Sequence, residues 1–350
     1  MPCSHTVPRL ADQPTPLLVA DGPTVEHNLA AMAAALPGDR CRPHVKAHKC
    51  TALAHRQRAY GHPGFTAATV REVVGLAAAG LGDDLLLANE VLHPARLAAL
   101  AALGDRARVT VAVDSEATIT AAARAGLGEV VIDVDVGMPR CGCPPEDAGR
   151  LADLARTAGL EVRGVMGYEG HVVGNPDRAA RAEGTAAAME ALTRAHAEVG
   201  GALISGGGTG TYDLNQACTE IQAGSYALMD TAYAALGLPF RPALWVEATV
   251  ISVSPRGWAV ADCGLKSLGM DHGNPTVDGC ETWFCSDEHV TVSPRDGTRL
   301  RVGDRVRVWP AHLDPTVAYH HEILVVEGPP TEEVIVERWP VDLRGWDGVA

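Results

Sequence analysis

The residues able to do chemistry fall into a few short clusters. The first is RPHVKAHK (42–49), which gathers two His and two Lys within eight residues. A lysine held where solvent is partly excluded has a lowered pKa and readily forms a Schiff base. Lys46 is the candidate for that role and Lys49 its rival. In DVDVGMPRCG (133–142), the guanidinium of Arg140 near Asp135 and Gly137 suits a phenolate-type oxygen or a carboxylate. GYEGH (167–171) puts Tyr168, Glu169 and His171 in one loop, supplying a hydrogen-bonding phenol and an acid/base group active near neutral pH. SGGGTGT (205–211) and AGSY (223–226) are glycine turns whose backbone N–H groups, with the hydroxyls of Thr209 and Ser225 and the Gly224 amide, suit a phosphate. Finally, PAHLDPTVAYHHE (310–322) sets His312 and Asp314 two apart, with His320 and His321 beyond. On an extended strand residues i and i+2 face one side, so this imidazole and carboxylate can share a divalent cation.

The elements around these clusters explain how they meet. From 41 to about 225, short β-like runs alternate with Ala-rich helical runs. Eight strands are expected at 41–46, 65–69, 84–88, 108–113, 129–135, 161–167, 202–205 and 219–223, with helices at 70–79, 94–102, 115–125, 146–158 and 176–199. Eight β/α units closed on themselves make a TIM-type (β/α)8 barrel of the α/β class, whose sites lie at the C-terminal ends of the strands. An open doubly wound sheet would announce itself with a G-x-G-x-x-G turn after the first strand, which instead ends in HVKAHKC. After about 240 the sequence turns to Val, Thr and Trp alternation with Gly, Pro and Asp punctuation, which reads as an all-β domain. The organisation expected is a barrel over 22–240 and a β domain from 1–21 and 241–350, with strand 16–20 pairing into the latter and helix 24–36 leading into the barrel.

Composition narrows the function further. Lys and Arg number 29 against 43 Asp and Glu, a formal charge of −14. A nucleic acid or anionic membrane surface would want basic residues, so neither is an expected partner. The start MPCSHTVPRLADQPTP lacks a basic-then-apolar leader and no run approaches a membrane span, so a cytoplasmic protein is expected. Nine cysteines without a C-x-x-C pair read as reduced thiols, mostly in the core.

Taken in order, RPHVKAHK, DVDVGMPRCG, GYEGH, SGGGTGTY, E-x-x-AGSYALMD (220–230) and PAHLDPTVAYHH resemble the family of D-threonine aldolases and eukaryotic-type D-serine dehydratases, over about residues 15–346. That family is similar in fold to alanine racemase. The resemblance implies a barrel that binds pyridoxal 5'-phosphate (PLP), followed by a C-terminal all-β domain with a metal site. It identifies Lys46 as the Schiff-base lysine, Arg140 and Tyr168 as residues lining the cofactor ring, and Thr209, Gly224 and Ser225 as phosphate contacts. His312 and Asp314 match the metal ligands, and a homodimer is implied. In the dehydratase branch the second ligand is a Cys, which suits zinc; Asp314 is a hard ligand that suits Mn2+, Mg2+ or Ca2+ better than Zn2+, with Mn2+ first.

The activity implied is cleavage of a small D-3-hydroxy amino acid to glycine and an aldehyde, with His171 as base and His44 and His48 as alternatives. A D-serine or 3-hydroxyaspartate dehydratase is the alternative reading. A racemase would need a tyrosine base from the 245–290 segment, where no matching segment occurs, and a non-catalytic PLP-binding protein would not need the β domain.

Overall fold

The computed structural model describes residues 8–295 and 297–346, so Cys3, Asp296 and both chain ends of the β domain expected from sequence lie outside the described residues. The chain divides into two compact units, Ala30–Gly224 with Leu343–Ala350, and Met1–Leu29 with Ser225–Asp342.

In the first unit seven parallel strands follow one another in chain order: Phe65–Ala67, Leu85–Leu87, Val109–Val113, Glu129–Asp133, Glu161–Gly167, Leu203–Gly206 and Glu220–Ile221. The eighth stave is 41–44. It is held by bridges instead of a regular ladder, Cys41 to Ile221 on one side and His44 to Thr66 on the other. Arg42 and His44 donate their N–H groups to Ile221 and Ala223, and Pro43 accepts from Thr66 N–H. Pro43 has no N–H to return, so pairing on the Thr66 side cannot extend. The sheet nevertheless closes, and the α/β barrel expected from sequence is the fold of this unit.

The crossover helices lie close to where the patterning puts them, at Val70–Ala78, Pro94–Ala101, Glu116–Arg124, Ala148–Thr157 and Arg178–Val199. Side chains start them: Thr69 and Ser115 accept the N–H groups of Glu72 and Thr118, and Asp177 accepts those of Ala179 and Ala180. Helix Thr51–Ala59 carries the run after Lys49, where the sequence reading placed no element.

At the N-terminal end of the barrel a chain of charges crosses the staves. Arg42 Nε lies 2.8 Å from Glu220 and its Nη2 2.8 Å from Asp84. Arg163 reaches Asp84 at 2.7 Å and the Thr110 hydroxyl at 2.7 Å, and Ser205 donates to Glu220 at 2.6 Å. Gly64 makes room, since a Cβ there would stand 2.7 Å from Arg42 Nη1. Burial by itself would raise the pKa of Asp84, but hydrogen bonds from Arg163 and Arg42 hold it well below the usual carboxylate range.

The second unit is built on a nine-stranded sheet. Its main path runs Cys280–Cys285, Val290–Pro294, Ala259–Ala261, Leu244–Val253, Leu17–Asp21, Glu322–Glu327 and Val334–Pro340, while Arg305–Trp309 pairs with Leu244–Val253 and with Thr276–Val277. The opening strand Leu17–Asp21 lies between two strands from the far end of the chain, antiparallel to one and parallel to the other. Leu10, Val19, Trp245, Leu324, Val326 and Ile335 form a core cluster on this sheet.

Replacing Arg42 by Met should cost about 3–5 kcal/mol, because Asp84 and Glu220 would remain buried with one partner fewer. Urea unfolding followed by circular dichroism measures it. Because the folded pKa of Asp84 is depressed, its share of stability is present above the unfolded carboxylate pKa and is lost as pH falls towards the folded value.

Candidate functional site

Lys46 sits in the 3-10 turn Val45–Ala47 that the closing stave runs into, half-buried, with its N–H donated to His44 Nδ1 at 3.4 Å. Its Nζ lies 5.6 Å from the centroid of the Tyr168 ring, and the Arg140 guanidinium lies 5.4 Å from the same ring. Gly208 completes the group, since a Cβ on it would stand 3.4 Å from Tyr168 Cε2. The strand-end loops thus gather the lysine, the phenol, the guanidinium and the glycine turn expected from sequence.

The rival lysine is committed elsewhere. Lys49, at φ 47°, forms an ion pair with Glu72, which is fully buried and also accepts the N–H groups of Ala68 at 2.6 Å and Thr69 at 3.2 Å. The histidines sort by the same logic. His48 is fully buried, its Nε2 3.2 Å from Gln57 Oε1 and its Nδ1 accepting from Cys50 N–H. Burial, and then the charges of Lys46 and Lys49, push the pKa of His44 well below the ordinary imidazole value. His171 is exposed, and its ring lies 3.2 Å from where a Cβ on Gly137 would stand. Asp135 shapes that loop by accepting Gly137 N–H at 2.8 Å.

Sequence reasoning gave Glu169 no role, yet it organises the glycine loop. Fully buried, it accepts from Gly207 N–H at 3.2 Å, the Thr211 hydroxyl at 2.8 Å and Asn215 Nδ2 at 3.3 Å. The Gly208 amide is likewise taken by Thr211 Oγ1. Two of the loop's amides therefore shape the loop itself. Thr209 is 2% exposed and Ser225 9%, while Gly224 is demanded by packing, because a Cβ there would come within 2.5 Å of the His44 carbonyl oxygen. Asp133, at the end of strand Glu129–Asp133, was also missed. Burial and then Glu90 push its pKa well above the usual carboxylate range. Only the position of Asp133 at a strand end could have signalled it.

In the second unit the expectation of an extended H-x-D is corrected. His312 is extended, at φ −139° and ψ 116°, but it is the N-cap of helix Leu313–Tyr319, and Asp314 lies in that helix's first turn. The strand rule for i and i+2 therefore does not bring the two together. Asp230 fixes this turn, accepting Leu313 N–H at 3.0 Å and Tyr233 N–H at 2.9 Å. Asp314 Oδ1 is buried and has no hydrogen-bond partner among the described residues. Burial first, and then the Asp314 charge, raise the pKa of Asp230, against the lowering effect of its two N–H donors. An oxygen-rich, negatively charged corner with an orphaned carboxylate oxygen and an imidazole fits a divalent cation. Sequence reasoning missed Asp271 and His272, whose potential ligand atoms lie with one of His312 within 4.8 Å of one another. The DHG run at 271–273 was the signal.

A closed parallel barrel with such a lysine at its mouth, followed in the chain by a mostly antiparallel β unit, defines an alanine racemase-like protein. The alanine racemase N-terminal domain matches residues 21–232, and a putative serine dehydratase domain matches residues 243–326. The chain is 36% identical to the D-threonine aldolase of an Arthrobacter species, over 96% of its own length and 94% of that protein's. It is 34% identical to the 3-hydroxy-D-aspartate aldolase of Paracoccus denitrificans (strain Pd 1222), over 95% and 92%. Among solved structures, the crystal structure of D-threonine aldolase from Filomicrobium marinum matches with a TM-score of 0.91 at 33% identity, covering 97% of this chain and 98% of that one. The chain belongs to the alanine racemase-like family of D-threonine aldolases and D-serine dehydratases.

Replacing Glu169 by Ala should weaken PLP binding about 10- to 100-fold, the scale of lost hydrogen bonds to a charged group. Pyridoxal, which lacks the phosphate, should bind the variant nearly as it binds the parent. Absorbance titration of the apo protein with both ligands reads the difference.

Proposed function

We propose that this chain is a lyase dependent on PLP and a divalent metal, cleaving D-3-hydroxy amino acids of the D-threonine type to glycine and an aldehyde. The observation that carries the reading is Asp314, whose buried Oδ1 lacks a hydrogen-bond partner among the described residues. A carboxylate is a hard ligand that suits Mn2+, whereas a thiolate at that place belongs to the dehydratase pattern. The relatives that are themselves aldolases support the same choice.

When bound, PLP supplies an electron sink for the pair released as Cα–Cβ breaks, and a divalent cation supplies the positive charge that acidifies the C3 hydroxyl. The chain's own residues supply the rest. Lys46 offers its amine to the cofactor aldehyde, and the pairing of Lys49 with Glu72 supports that choice over its rival. Arg140 and Tyr168 line the ring, while Thr209, Gly224 and Ser225 hold the phosphate. His312 and Asp314 hold the metal. His171 takes the hydroxyl proton, a choice supported by the burial of His48 between Gln57 and Cys50 and by the low basicity of His44.

The enzyme acts in the cytoplasm as a homodimer on this reading. Among the described residues no helix is long and apolar enough to cross a membrane.

Borohydride reduction followed by peptide mapping should place the pyridoxyl label on Lys46. A label on Lys49 would overturn the assignment.

The reaction type is checked with D-threonine. EDTA should abolish glycine formation while the visible PLP absorbance stays, and Mn2+ should restore it. Asp314→Ala should behave like the chelated enzyme. A 2-oxo acid and ammonia as the main products would make the protein a dehydratase, and full activity after complete metal removal would point to racemase chemistry.

A further inference from the structure

We propose that Asp271 is the residue that positions His312 for the metal, and that His272 packs on the His312 ring without binding the ion. The proposal rests on the reading of His312 as a metal ligand. Asp271 Oδ2 lies 2.7 Å from His312 Nδ1. The local backbone builds this contact: Gly269 forms an antiparallel bridge with His312, and its N–H donates to Thr316 Oγ1 at 2.8 Å, while that hydroxyl donates to the His312 carbonyl at 2.7 Å. Gly269 has to be glycine, because a Cβ there would stand 2.3 Å from Pro315 Cγ. Two residues further on, Asp271 meets the imidazole.

An imidazole that binds a metal through one nitrogen carries its proton on the other, and a carboxylate accepting that proton fixes both tautomer and ring orientation. With Asp271 on Nδ1–H, the lone pair left for the cation is that of Nε2. The His272 ring lies on the His312 ring at 3.9 Å between centroids and 6° between planes. A ring nitrogen's lone pair lies in the plane of its own ring, so two parallel rings stacked in this way cannot both direct lone pairs at one ion. Of the three residues whose donor atoms cluster here, one is thus placed to ligate, one to orient and one to pack.

The test uses the full chain with PLP bound, stripped of metal and titrated with Mn2+, with free Mn2+ followed by electron paramagnetic resonance. Asp271→Ala should bind Mn2+ about 10- to 100-fold more weakly than the parent. Asp271→Asn, whose amide oxygen can accept the same hydrogen bond, should recover part of the loss. His272→Ala should change little. PLP absorbance and the melting temperature of the stripped proteins should be the same in all of them, which separates orientation of the ligand from general damage. Nitrogen modulation from a single imidazole should persist in Asp271→Ala and vanish in His312→Ala. Parent-like Mn2+ affinity in Asp271→Ala would overturn the proposal, and so would a loss in His272→Ala as large as that in Asp271→Ala. A parent protein that binds no Mn2+ would instead remove the metal reading on which the proposal rests.

Discussion

The barrel depends on one closure, the fitting of a stave that cannot pair like the others. Pro43 interrupts the ladder on the Thr66 side, so backbone hydrogen bonding alone leaves 41–44 weakly tied. The Arg42 guanidinium replaces what is missing by joining Glu220 on one neighbouring side to Asp84 on the other. Arg163 and Thr110 carry the chain of polar contacts onward to Glu129. Buried charges of this kind are worth little as isolated pairs, but removing one member leaves its partners uncompensated, which makes the set an all-or-none fastening. Lys46 follows Arg42 by only four residues, so the fastening at the N-terminal end also sets where the lysine emerges.

Reactivity at the mouth is then a matter of excluding competitors. Two lysines and two histidines crowd 42–49, and composition gives no reason to prefer one. The fold chooses by burial and partner. Glu72 serves at once as the N3 residue of a capping box and as the counter-ion of Lys49, so the start of one helix removes the rival amine. Gln57 and the Cys50 amide do the same for His48. The loop that brings Tyr168 beside Lys46 also sends Glu169 into the glycine turn, so the phenol and the glycine loop are set by neighbouring residues.

Much of this was legible in the sequence, and the reason is physical. Parallel strands buried on both faces read as short apolar runs, and the crossover helices between them carry caps, so the alternation fixes both the elements and the strand ends where chemistry collects. Strand Glu161–Gly167 coincides with its expected span, and the other six ladder strands lie within theirs or within a residue of them. What the pattern could not carry is partnership across long separations. Glu169 braces residues 38 to 46 positions away, and Asp271 meets His312 across 41. Helix Thr51–Ala59 was hidden because its apolar positions are few and it follows directly on the reactive run.

The H-x-D pair shows how a spacing can draw attention to a site for the wrong geometric reason. In an extended chain the two residues would share a face; here the chain turns between them, and only His312 keeps the extended conformation. What organises the corner is Asp230, 83 residues from Leu313, whose carboxylate takes the first amide of that helix and also caps Thr231–Ala234. A capping carboxylate is favourable at a helix N-terminus, where the free amides carry partial positive charge. It also puts a buried carboxyl near Asp314, and burial, and then the Asp314 charge, raise the Asp230 pKa against its two N–H donors. The shape of this corner therefore rests on helix capping as much as on His312 and Asp314 themselves.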